Sequence, residues 1–122
     1  MERELPKPGE KWRHCKLKDG EEYVATVLAI AQMPGEKIEK RVIYSRLPHL
    51  IEYEMRVFDT ESNQVFWMKQ HGSNVKYALF LLEPIYSETW SNSDVTDETI
   101  WARPLDSFMG VVSNDCYRFE RA

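Results

Sequence analysis

Ile51, Tyr53, Met55 and Val57 alternate with Glu52, Glu54 and Arg56, the period-two pattern of a strand with one wet face. Residues 59–63 are a polar turn and residues 64–70 the return strand, which together predict a hairpin. Upstream, residues 23–33 place Tyr23, Ala25, Val27, Ala29 and Ala31 on one face and Val24, Thr26, Leu28 and Ile30 on the other. Both faces are apolar or small, so this strand is expected to be central and covered on both sides. A helix also fits the alanines, but Tyr, Thr, Val and Ile favour the extended form. Residues 12–17 form a strand ended by the Asp19-Gly20 turn signal, and after Pro34-Gly35 the chain returns over residues 38–47. Residues 75–86 read as a strand, because Pro84 breaks the alternative helical face of Tyr77, Ala78, Leu81 and Leu82. Residues 87–99 are a polar loop and 100–103 a short strand. Residues 104–109 are a helical turn with Pro at its start, and 117–121 a terminal strand. The sum is a mainly β, small antiparallel SH3-like barrel or half-barrel with an inserted β-hairpin and a short helical turn near residue 105. No strand–helix alternation supports a doubly wound nucleotide fold.

With 122 residues the chain makes a single domain, 1–122. Its longest apolar run, residues 77–82, is far short of a membrane span, and its start has no apolar stretch of a secretory signal. Cys15 and Cys116 are too few for a disulfide scaffold and have no metal spacing, so both are expected as free thiols in a reduced, cytoplasmic setting. The formal net charge of -4 excludes a large phosphate-gripping footprint. That charge is unevenly spread. Residues 1–48 carry 10 basic and 8 acidic side chains, residues 49–100 carry 3 and 9, and residues 101–122 carry 3 and 3.

Much chemistry is missing. The five glycines are scattered singly, with no phosphate loop, nucleophile elbow or metalloprotease helix. His14, His49 and His71 are not at ligand spacing, so no metal and no cofactor is expected. Cys15 and His14 are neighbours on a strand and point to opposite faces, which leaves Cys116 with His14 as the conceivable nucleophilic pair. Glu52 and Glu54 share a face, but it reads as solvated. Nothing positive supports an enzyme.

Two sets of blocks carry a resemblance. The first is Pro8-Gly9, Trp12-Arg13-His14-Cys15-Lys16, residues 23–31, Val42-Ile43-Tyr44 and Leu47. The second is Ile100-Trp101-Ala102-Arg103-Pro104-Leu105, Phe108, Val111 or Val112, and Tyr117-Arg118-Phe119-Glu120. In this order they resemble the small bacterial domain-of-unknown-function family 1653, over roughly residues 8–47 and 100–120. The resemblance implies a compact β-barrel and no assigned reaction. Cys15 departs from the family's usual aromatic, and residues 49–99 form an acidic insertion where the family has a short connection.

His14 and Lys16 share a strand face from which Arg13 points away, and Trp101 and Arg103 share another. An arginine beside an aromatic suits a planar anion or a base. His14, Lys16, Tyr44, Trp101 and Arg103 are therefore the candidate ligand-binding residues, for a small anionic or nucleotide-like ligand. The plainer expectation is that Tyr44, Trp101, Leu105, Phe108 and Phe119 are core and the cations pair with surface carboxylates. A second class of function is a protein-interaction adaptor that docks a partner through residues 49–99 with Trp67, Trp90 or Tyr86 exposed. Stacking of single-stranded nucleic acid is weaker given the charge, and no membrane partner is expected.

Overall fold

The computed structural model describes residues 3–15, 24–37, 39–52, 54–71, 79–113 and 116–122. Among these the chain runs through β1 Lys11–His14, β2 Val24–Gln32, β3 Lys40–Ser45, β4 Glu54–Asp59 and β5 Gln64–His71. It continues through β6 Leu79–Thr89, β7 Ile100–Pro104, α1 Leu105–Met109, β8 Val111–Ser113, β9 Cys116–Tyr117 and β10 Phe119–Arg121. The β-branched and aromatic runs became strands, and Pro104, the last residue of β7, caps the start of α1; a 3-10 turn over Asn92–Asp94 lies in the loop before β7. The expected turns at 19–20, 72–74 and 115 lie outside the described residues.

Six strands close a barrel. β2, β3, β7, β4, β5 and β6 pair in that order, and β6 returns to β2 through Ala31↔Phe80 and Gln32↔Leu81. The nine-residue length of β2 makes this closure possible. Along one edge its first residues pair with β1, which carries β10, and its last residues pair with β6. Closure removes the half-barrel alternative and leaves few open edges. Two junctions, β2–β6 and β4–β7, are parallel, a departure from the antiparallel expectation that local pattern cannot reveal. The acidic stretch over residues 49–99 is no appendage: β4, β5 and β6 are half the barrel wall.

Two cores share β2 and β3. The first takes side chains from all six barrel strands, including Ala29, Ala31, Ile43, Val57, Met68 and Ala102. Small alanines on β2 and β7 let larger side chains from the other strands fill a narrow interior. The second lies on the other face, where Trp12, Val27, Val42, Tyr44, Phe108 and Phe119 pack together. Phe108 of α1 stacks on Phe119 at 4.3 Å and meets Trp12 edge-on at 5.3 Å, so the short helix caps this core. A bulge between Val27 and Ala29 moves β2 from one core to the other. Ala25 and Val27 face the second core, whereas Ala29 and Ala31 face the first. The single continuous face expected for residues 25–31 is thus split, since one extra residue inverts the alternation.

One charged cluster is buried in the barrel wall. Arg41 Nε donates to Asp59 Oδ1 at 3.0 Å, and Asp59 is 0% exposed. Asp59 Oδ2 also accepts from Ser62 N at 3.0 Å and Ser62 Oγ at 2.7 Å, which shapes the β4–β5 turn. Near the chain ends Cys15 and Cys116 are joined by a disulfide, Cα–Cα 6.3 Å, across 101 residues of sequence. The free-thiol expectation is corrected: strand pairing of β1 with β10 brings the two ends together, a non-local effect. The described residues contain no helix long and apolar enough to cross a membrane.

Candidate functional site

The site begins on β7, where period-two geometry turns Ala102 into the barrel and Trp101 and Arg103 to its outer face. Antiparallel register sets Tyr44 of β3 opposite Trp101 and Val42 opposite Arg103. Tyr44 is 3% exposed, and its hydroxyl accepts from Arg103 Nε at 3.0 Å. Arg103 Nη1 donates to Ser107 Oγ at 3.2 Å, one helical turn further along α1. Two anchors therefore hold the guanidinium against the barrel.

The other walls come from distant parts of the chain. His14, at the end of β1, meets Phe119 of β10 edge-on at 5.0 Å. Trp90 leads the loop after β6, stacks on Phe58 at 5.6 Å and meets Trp101 at 79° with centroids 5.1 Å apart. Its indole Nε1 donates to the Asp59 carbonyl at 2.9 Å, which ties the aromatic wall to the buried ion pair. The loop returns with Thr99, whose carbonyl accepts from the buried Ser45 hydroxyl at 2.9 Å. At the rim Arg46 pairs with Asp97 at 3.2 Å.

Together these residues line a solvent-open cleft of about 830 Å³. His14, Tyr44, Trp101 and Arg103 all line it, so four of the five candidate residues meet at one concave surface. Lys16 lies outside the described residues. The plainer expectation holds alongside: Tyr44, Phe108 and Phe119 are buried core, with Trp101 and Leu105 half-buried against it. Pairing of the cations with carboxylates does not hold for Arg103, which makes no ion pair among the described residues. A second cleft of about 710 Å³ lies on its other side, so Arg103 and Thr60 form the partition between the two.

Sequence reasoning missed Arg118, Trp90 and the 95–99 rim. Arg118 follows β9, and its buried Nε has no hydrogen-bond partner. Desolvation pulls its guanidinium below the usual arginine range, repulsion from Arg103 adds to this, and Tyr44 opposes both. Burial pushes the Tyr44 phenol up, against the pull of Arg103 and Arg118. The Arg118-Phe119 pair in the terminal block was the available signal; nothing local marked Trp90 as a wall of the cleft.

The cleft offers cation and hydroxyl donors beside an aromatic corner. The Cys116–His14 nucleophilic pair is excluded as drawn, because Cys116 is bonded to Cys15. Among the described residues no group of three His, Cys, Asp or Glu side chains converges as metal ligands. Of the expected docking aromatics only Tyr86 is exposed, at 87%; Trp67 and Trp90 are half-buried, the latter held by Phe58 and Asp59. Comparison with protein-family models, with curated proteins and with solved structures finds no match to this chain.

Proposed function

We propose that the protein is a β-barrel binding module whose cleft holds a small anionic ligand at Arg103, beside Tyr44 and against Trp101, with His14 on the facing wall. The observation that carries this reading is Arg103, which lines the cleft, is held there by Tyr44 and Ser107, and is neutralised by no carboxylate among the described residues. A cation held in place without a counter-charge favours an anion beside it. Arginine suits the task because its planar fork binds carboxylate or phosphate with two parallel hydrogen bonds. Lys16, two residues beyond His14, belongs to the same proposal. Membership of the domain-of-unknown-function family 1653, with an SH3-like element over residues 8–47 and 100–120, is part of this reading too, since its sequence blocks supply His14, Tyr44, Trp101, Arg103 and Arg118.

The test is thermal stabilisation by a panel of anionic metabolites. At ligand concentrations of 100 times Kd a binding partner stabilises by about 2.7 kcal/mol. The gain is expected to vanish in Arg103→Ala. A panel that leaves the melting temperature unmoved rejects the proposal.

Tyr86, 87% exposed on β6, favours a second reading as a protein-interaction adaptor. It predicts a co-purifying partner from the native host, lost in Tyr86→Ser, and the absence of any partner sinks it. A cytoplasmic setting is also part of the proposal.

A further inference from the structure

Resting on the reading of the cleft as an anion site, we infer that its ligand is a free phosphomonoester carried on a planar heterocycle, of the class of a nucleoside 5′-monophosphate. The phosphate lies at Arg103 and the ring lies against the Trp90–Trp101 corner.

Charge selects the anion. A phosphomonoester carries about -1.5 to -2 at pH 7 and three acceptor oxygens, against the single charge of a carboxylate. Arg103 lines the cleft without an ion pair among the described residues, and the Thr60 and Thr96 side chains line it too, so several acceptor oxygens find partners there. Arg103 is already fixed through Nε to Tyr44 and through Nη1 to Ser107, and its Nη2 makes no hydrogen bond among the described residues. A donor therefore remains on a guanidinium that two anchors hold in place and that loses little freedom when a phosphate arrives.

Spacing selects the rest of the ligand. Trp101 and Arg103 are two residues apart on one face of β7, so their side chains leave the strand about 7 Å apart. A pentose between base and phosphate spans a gap of that order. Thr60, Thr96, Asp97 and Thr99 line the same cleft and offer hydroxyl and carboxylate partners for a polyol. The aromatic corner supplies stacking area tolerant of different bases. At about 830 Å³ the cleft suits one such molecule. The insertion that builds this rim is acidic, with 9 acidic and 3 basic side chains over residues 49–100. That field disfavours polymers and highly charged polyphosphates, and so favours one free phosphate group.

Isothermal titration of the full chain decides the matter, with the four ribonucleoside 5′-monophosphates, their nucleosides, inorganic phosphate and a 5′-phosphorylated dinucleotide as probes. The expected result is that at least one monophosphate binds ten-fold or more tightly than both its nucleoside and inorganic phosphate. Arg103→Gln is expected to weaken the monophosphate ten-fold or more while leaving the nucleoside within two-fold. Circular dichroism and the melting temperature report whether that variant is folded. If it is not, Trp90→Phe, which keeps a ring on Phe58, is expected to bring monophosphate affinity down towards that of inorganic phosphate. Inorganic phosphate binding as tightly as every monophosphate overturns the inference and leaves the anion site standing. Binding by none of these anions overturns both. A dinucleotide binding as tightly as its mononucleotide overturns the assignment to a free ligand.

Discussion

Replacing Asp59 by Ala leaves Arg41 buried without its closest counter-charge. Arg41 is 5% exposed, and its Nε lies 3.0 Å from Asp59. Breaking one side of a buried pair costs about 3–5 kcal/mol, because the surviving charge keeps its desolvation penalty. Glu61, 3.1 Å from Arg41 Nη2 but largely exposed, offsets part of that. The two Ser62 hydrogen bonds to Asp59 disappear as well, and their loss adds about 1 kcal/mol. A net loss of about 3–4 kcal/mol is expected. For a urea m-value of about 2 kcal/mol/M the midpoint falls by roughly 1.5–2 M at unchanged slope. Arg41→Met combined with Asp59→Leu removes both charges together, and is expected to cost less than the sum of the two single changes. A midpoint shift under about 0.5 M for Asp59→Ala, or strict additivity in the cycle, refutes the reasoning.

Phe108→Ala empties the centre of the second core, where the ring is fully buried against Phe119 and Trp12. A loss of about 3–5 kcal/mol in urea unfolding is expected, and less than about 1 kcal/mol contradicts the role given to α1. The Tyr44 phenol is raised by burial. The stability this provides is complete below the unfolded value near 10, and is lost as pH rises through the folded value. Melting temperatures above about pH 10 are therefore expected to fall less steeply in Tyr44→Phe than in the parent chain; identical alkaline limbs contradict this. Reducing the Cys15–Cys116 bridge, which spans 101 residues, is expected to cost about 3–5 kcal/mol. Urea midpoints with and without dithiothreitol check this, and Cys15→Ser should abolish the difference between them.

Local pattern carried most of the strands. The alternation over residues 51–57 became β4, shortened to Glu54–Asp59, and the return over 64–70 became β5, Gln64–His71. Pro104 opened the helical turn as its fixed φ predicts. What local pattern does not encode is which edges meet. The parallel β2–β6 and β4–β7 pairings join residues tens of positions apart, and they make the acidic middle of the chain part of the barrel wall. The bulge at residues 27–29 was also hidden, because alanine and valine suit either face of a strand covered on both sides. In the cleft, His14, Tyr44, Trp101 and Arg103 were legible because an arginine two residues from a tryptophan must share its face. Trp90 was not, because the loop after β6 has no period, and its place depends on Phe58 and the Asp59 carbonyl. Whether Cys15 and Cys116 are close in space is open in the sequence and is decided by the pairing of β1 with β10.

The central claim is that the cleft beside Arg103 binds an anion. Its most direct test is a ¹H–¹⁵N nuclear magnetic resonance titration of the full chain with inorganic phosphate and with adenosine 5′-monophosphate. Arg103 Nε–H and the indole Nε1–H signals of Trp90 and Trp101 line or border the cleft, whereas Trp67 on β5 lies outside it. The account predicts saturable shifts at Arg103 with both probes, saturable shifts at Trp90 and Trp101 with the nucleotide, and an unmoved Trp67 signal. Shifts that never saturate, or that are as large at Trp67 as at Arg103, contradict it.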